Sequence, residues 1–411
     1  MGAVGQGLLS SVGRLAGRPA RQYRWNALIG QAAEAIARRR LADAVDHLVQ
    51  AFAIAHAEWP GGERLGESLL RLADLKAALE MTDEAMHLYA RGISVLACLP
   101  EGADSRLALA AGNLGRLFLL KGEHRNAAAL IEAATALQRK LGEPDTPALQ
   151  LNRALVAAAA GHDDDAQLAF NDAIAALDRL AGPRDLQGVA IHDNYALFCA
   201  SRDRLDDAEV LLRRCLILRQ EAAGPRHAIY AAGLVNLARV RLGDDQADHS
   251  GLDETRALLW QAADICERAG PRPASGLLPA LYYMARLACQ AGRADEAASL
   301  CDRMLEFGKS DPHAEPAAEA ASLHILAKLQ RDGGPAGDGE AALRRALGLA
   351  GTLAGGHRTL GRDMSVGLLS DLAEVAAASG RTAEAERLAA RSGELRRTPV
   401  WALSRQIFPS V

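Results

Sequence analysis

Nine times along the chain a small residue returns to the same place in a helical pattern: Ala32, Ala73, Gly115, Ala154, Ala196, Ala238, Ala285, Ala327 and Ala373, about 39 to 47 residues apart. A second column follows at Ala44, Ala85, Ala127, Ala166, Ala208, Thr255, Ala297, Gly339 and Ala385, twelve residues later in every unit except the sixth. Seven residues further on comes a third, Ala51, Gly92, Ala134, Ala173, Cys215, Ala262, Met304, Ala346 and Ser392. Side chains this small are needed where helix axes approach closely, because a larger group would push them apart. A period of this length marks a stack of helix pairs. The drift to Met304 and Ser392 predicts looser packing toward the C-terminal end.

Punctuation has the same period. Gly142-Glu143-Pro144, Gly182-Pro183, Gly224-Pro225 and Gly270-Pro271 each suit the end of a second helix, where glycine supplies a left-handed residue and proline forbids continuation. Asp163, Asp164, Asp206, Asp207 and Glu296 fall where second helices start, and there they favour the positive dipole end. Aromatic residues are only 4 % of the 411, which fits helices packed over small side chains.

Charge removes some function classes. A formal net charge of −4 gives no field to draw nucleic acid or an anionic membrane. No apolar run is long enough to span a bilayer, so a soluble chain is expected. The six cysteines form no C-x-x-C pair and read as reduced core residues, which points to the cytoplasm. Residues 1–33 hold four arginines and no acid, with Val4, Leu8, Val12 and Leu15 able to share a face; a tail, a capping helix and a targeting or docking segment all fit. At the other end Thr398-Pro399, followed by Val400, Trp401, Leu403, Ile407 and Phe408, predicts a capping helix over 398–411. The expected organisation is a segment 1–25, repeats over 26–397, and that cap.

No nucleophile, metal-protease or dinucleotide fingerprint is found. Gly308-Lys309-Ser310 imitates the end of a phosphate loop, but Arg303 stands where the earlier glycine belongs. Asp244, Asp245, Asp248, His249 and Asp253 lie in an insertion and read as an exposed polar loop. The expectation is a protein without enzymatic activity, cofactor or metal.

Small residues twelve apart, the Gly224-Pro225-Arg226-His227 connector, and the stretches Leu234-Val235-Asn236-Leu237-Ala238 and Leu211-Leu212-Arg213-Arg214-Cys215-Leu216 resemble tetratricopeptide repeats of the kinesin-light-chain variety over about residues 26–396. That resemblance implies an all-α fold, a right-handed α-solenoid superhelix of about nine helix hairpins. It also implies that each first helix lines a concave wall, with the position two before the small residue facing a groove. Here that position holds Asn113, Asn152, Asn194 and Asn236, then Tyr283 and Ile325. An asparagine amide offers a donor and an acceptor to an extended peptide backbone, although it could equally bridge neighbouring helices. One residue beyond the small column come Arg116, Arg239, Arg286 and Lys328, with acidic Asp74 and Glu374 as exceptions. Basic groups among asparagines suit an acidic peptide segment, with Tyr282 and Tyr283 as aromatic anchors. The expected function is a scaffold or adaptor that grips such a segment of a protein partner. Two alternatives stand beside it: a receptor for a short signalling peptide, and a subunit docking through its ends. Self-assembly is left open.

Overall fold

The computed structural model describes the backbone of residues 3–397 apart from positions 39, 80, 100–104, 143, 145, 181–185, 244–248, 270–275, 312, 334–336 and 354–357. Among the described residues the chain is all-α, with eighteen helices and no strand. The cap expected at 398–411 and most of the acidic insertion lie outside them.

The chain divides within one helix into two compact units, residues 1–176 and 177–404. In the first, α1 (Ala3–Ala37) packs on α2 (Leu41–Glu58), α3 (Glu63–Ala78) on α4 (Thr82–Ala97), and α5 (Ser105–Leu120) on α6 (His124–Lys140). They are followed by α7 (Pro147–Ala159) and α8 (Asp163–Leu180), in which the division falls. The second unit pairs α9 (Leu186–Ser201) with α10 (Leu205–Ala223), α11 (Ala228–Arg241) with α12 (His249–Arg268), and α13 (Leu277–Gln290) with α14 (Ala294–Ser310). Its last pairs are α15 (Glu315–Gly333) with α16 (Gly337–Thr352) and α17 (Arg358–Ala378) with α18 (Thr382–Arg397). The expected segment 1–25 is part of α1 from Ala3 onward.

Local chemistry sets the helix ends. Thr146 Oγ1 accepts the Leu149 amide ahead of Pro147, and His227 Nδ1 accepts the Ile229 amide, so α7 and α11 begin on side-chain caps. Asp163, Asp206, Asp207 and Glu296 lie in first turns, as the sequence indicates. Gly142 and Gly224 follow second helices with φ of 70° and 84°. Left-handed residues also close the turns inside the hairpins, at Gly122, Gly161, Gly292 and Gly380, and Asp203 takes that role with φ 57°.

The three small columns are the seams of the core. All of the first and third columns are buried, as is the second except for half-buried Gly339 and Ala385. A Cβ on Gly115 would meet Ile131 Cγ1 at 2.8 Å, and one on Gly92 would meet Leu70 Cδ2 at 2.7 Å. The looser C-terminal end is not observed at the third column. Met304 is fully buried, and Ser392 Oγ lies 3.0 Å from Val366 O and 3.0 Å from Ser370 Oγ. Ala238→Leu is expected to destabilise by about 1 to 3 kcal/mol through overpacking at the α11 seam. Equilibrium urea unfolding checks this, and a neutral result would deny the column its spacing role.

Candidate functional site

In the second unit α11, α13, α15 and α17 are successive first helices, each in contact with the next. The column one residue beyond the small positions, Arg239, Arg286, Lys328 and Glu374, comes together on one cavity of about 310 Å³. Tyr283, His324, Arg362, Asp363 and Asp371 line it as well, and in all five cationic side chains face four acidic ones. Close approach of α17 depends on Gly367, where a Cβ would sit 2.8 Å from the His324 ring.

Asp363 lies among three of these groups. Its Oδ2 accepts the Tyr283 hydroxyl at 2.6 Å and faces Arg239 Nη1 at 3.4 Å, while Oδ1 lies 3.4 Å from Arg362 Nη1. Burial and the Asp363 carboxylate together push the Tyr283 phenol up, so its hydroxyl remains a donor. Arg239 is underbonded: its side chain is 11 % exposed, yet buried Nε and Nη2 have no hydrogen-bond partner. Leaving a buried donor unpaired costs about 1 to 3 kcal/mol. Arg286, half-buried on the same wall, makes no hydrogen bond or ion pair with any described residue. Arg362 is spent elsewhere, its Nε and Nη2 donating to Leu395 O and its Nη2 also to Arg396 O at the end of α18. Arg202, beyond α9, donates to Arg397 O at 2.8 Å, so two cations cap the negative end of α18.

From the cavity wall a buried chain of polar groups runs inward through Asp371, His324 and Tyr282. Asp371 Oδ2 lies 3.0 Å from His324 Nε2, and His324 Nδ1 lies 2.9 Å from Tyr282 Oη. A carboxylate only accepts, so Nε2 carries the proton and neutral Nδ1 accepts the Tyr282 hydroxyl. Lys328 Nζ stands 3.7 Å from Asp371 Oδ1. Burial depresses the His324 imidazole below the usual histidine value despite Asp371, and burial likewise depresses His192, whose Nδ1 is 2.7 Å from Gly188 O. The unfolded chain therefore binds protons that the folded unit refuses. Stability is full above the ordinary histidine value of about 6.5 and is lost as pH falls below it toward the depressed folded values. The melting temperature is expected to decline as pH is lowered through this range, and less so in His324→Gln. A flat profile, or one that the substitution leaves unaltered, would contradict this.

The asparagines are deeper than a groove position requires. Asn194 is buried and donates from Nδ2 to Ala190 O of its own helix at 2.8 Å. Asn236 is half-buried. In the first unit Asn113 Nδ2 lies 3.4 Å from Tyr89 Oη, and Tyr89 donates to Asp74, the acidic exception of the basic column. Arg116 is buried nearby, its guanidinium held below the usual value by burial, against which Tyr89 and Asp74 act. Asn152 is wholly buried with neither amide atom hydrogen-bonded, and Gly112 leaves room for it: a Cβ there would lie 3.1 Å from Asn152 Nδ2. Tyr282 is buried too, edge-on to Tyr283 with ring centroids 5.3 Å apart.

Sequence reasoning missed Asp363, Asp371, His324 and Arg362 as site members. A signal for His324 was available three residues before each small position, where Ile29, Leu70, Gly112, Leu151 and Val235 contrast with Asp193, Tyr282, His324 and Ser370. Among the described residues no group of His, Cys, Asp and Glu could hold a metal ion, and no helix is long and apolar enough to cross a membrane. The cysteines are free, Cys98 exposed and the other five buried, with burial raising the Cys199 and Cys266 thiols to about 11 and Cys301 to about 12.

Helix pairs joined through small residues at fixed spacing give the chain a helical-repeat fold of the tetratricopeptide type. Among solved structures the chain is similar to the apo form of the quorum sensor NprR from B. thuringiensis, with 13 % identity and a TM-score of 0.58 over 92 % of this chain and 99 % of that one. It is similar also to a Rap protein complexed with Competence and Sporulation Factor, at 12 % identity and TM-score 0.59 over 91 % and 98 %. A third likeness is to the apo form of RapI, at 11 % identity and TM-score 0.59 over 91 % and 97 %. Comparison of the sequence with family models and with curated proteins gives no match.

Proposed function

We propose that this chain is a protein-interaction repeat protein whose second unit grips an extended, acidic segment of a protein partner. One observation supports this above the rest: Arg239, Arg286, Lys328 and Tyr283, distant in sequence, meet at one cavity where Arg239 has two unpaired buried donors and Arg286 has no hydrogen-bond partner among the described residues. A guanidinium fork matches a carboxylate, and such charge-assisted contacts reach about 1.5 to 3 kcal/mol each when water is excluded. Half-buried Asn236 on α11 is the candidate for main-chain contacts from the same unit, Asn194 on α9 would have to leave its bond to Ala190 O to serve, and Tyr282 packs edge-on against Tyr283. In the first unit Asn113, Asn152 and Arg116 are the matching candidates, and they would have to swing outward to serve.

A second reading, a receptor for a short signalling peptide, draws on the likenesses: NprR is a quorum sensor and the Rap protein is complexed with a factor of competence and sporulation. Both readings place the ligand in the same cavity.

The test uses the full chain and two fluorescein-labelled probes, pentaglutamate and pentaglutamine, followed by fluorescence anisotropy. Saturable binding of the acidic probe alone is expected. Equal binding of both, or of neither, would remove the acidic-segment reading.

A further inference from the structure

The cavity's charges are nearly balanced, so an incoming acid meets resident acids as well as cations. A carboxylate added beside all of them would be repelled, and like charges held this close in a water-poor site are costly. A resident acid that gives way removes that repulsion. Asp371 also lines the cavity but is fixed to the His324 ring at 3.0 Å, with Lys328 Nζ 3.7 Å from its other oxygen. Asp363 is held differently. Its one short bond is the neutral Tyr283 hydroxyl, and both of its guanidinium contacts are 3.4 Å, well beyond the roughly 2.7 to 2.9 Å of a good charge-assisted bond. Arg239 thus spends one nitrogen on a long contact, while its Nε and Nη2, the edge that pairs side-on with a carboxylate, stay buried and unpaired.

We infer that Asp363 is an internal stand-in for the partner's carboxylate, seated at Tyr283 and Arg239 and displaced when an acidic ligand binds, which makes Asp363 the residue that sets the cavity's preference for acids. This rests on the acidic-segment reading above. The exchange is favourable because an incoming carboxylate, free of the α17 backbone, can pair with the Nε and Nη2 edge that Asp363 does not reach. Asp363 keeps Arg362 Nη1, the one nitrogen of that guanidinium not given to the end of α18, which its Oδ1 already faces at 3.4 Å. No bond is broken other than hydrogen bonds, and the displaced carboxylate remains charged.

The experiment measures pentaglutamate and pentaglutamine binding to the full chain and to Asp363→Asn, Asp363→Ala and Asp363→Glu. If the competent, displaced arrangement is a minor one of about a tenth, Asp363→Asn should bind pentaglutamate about tenfold tighter than the parent, since removing the competitor removes that conformational penalty. Asp363→Ala should do the same should the amide fold poorly. Asp363→Glu, which keeps the competing charge, should not tighten, and no variant should gain for pentaglutamine. Melting temperatures are recorded alongside, because tighter binding by a variant that melts as the parent does cannot come from partial unfolding. Binding by the parent with an unchanged or weaker Asp363→Asn overturns the stand-in and leaves the acidic-segment reading intact. Absence of pentaglutamate binding from parent and variants alike overturns both.

Discussion

Asp193→Asn is expected to destabilise the second unit by about 3 to 5 kcal/mol, the usual penalty for stranding one member of a buried ion pair. Asp193 on α9 and Arg219 on α10 are 6 % and 7 % exposed, and the guanidinium engages both carboxylate oxygens, Nη1 at 3.2 Å and Nη2 closer. Room for the arginine comes from Gly233 on α11, where a Cβ would lie 2.9 Å from Arg219 Nη1. Without the carboxylate, a guanidinium with an already unpaired Nε would be left charged in the core. Asp193→Leu combined with Arg219→Met should recover most of the loss, because an apolar pair has no desolvation penalty to meet. Urea midpoints and slopes for the single and double variants decide it. A single-variant loss below about 1 kcal/mol would mean that the pair is wet or mobile in solution.

Joint replacement of Arg239 and Arg286 by Gln is expected to weaken pentaglutamate binding by at least about a hundredfold, or roughly 2.7 kcal/mol, while leaving the helical signal in place. Arg239 has two unpaired buried donors and Arg286 shares its wall, so their loss removes the charge and the fork geometry together. Arg239→Lys alone should recover little, because an ammonium cannot pair with a carboxylate side-on. The Lys328 ammonium already leans toward Asp371 and should matter less. Anisotropy titrations of the double variant check this. Undiminished affinity would move the binding surface elsewhere on the chain.

The fold was legible because packing imposes a period. A helix pair must put something small wherever its axes come together, and that demand recurs at Ala73, Ala154, Ala238 and Ala285 whatever the rest of the unit does. The basic wall was legible for the same reason, since Arg239, Arg286 and Lys328 share one register with those alanines. Depth was not legible. An asparagine two before the small residue can face a groove or sink between helices, and Asn152 and Asn194 sink. Nor was the pairing of charges. Asp363 lies 124 residues from Arg239 and 80 from Tyr283, in no column that the repeat defines, so nothing in one sequence tied it to them. The His324–Asp371 pair was closer to reach, since each occupies a column position where earlier units carry a different kind of residue.

Arrays of repeats ordinarily melt from their ends, because each hairpin touches only its neighbours. The grip of Arg202 on the final carbonyl of α18 ties together residues 195 apart, the first hairpin of the second unit to its last. Loosening one terminus of that unit therefore also removes this exposed contact, worth about 0.5 to 1.5 kcal/mol, from the other. Shortening the unit from its C-terminal side should accordingly lower the stability of its first hairpin by about that amount.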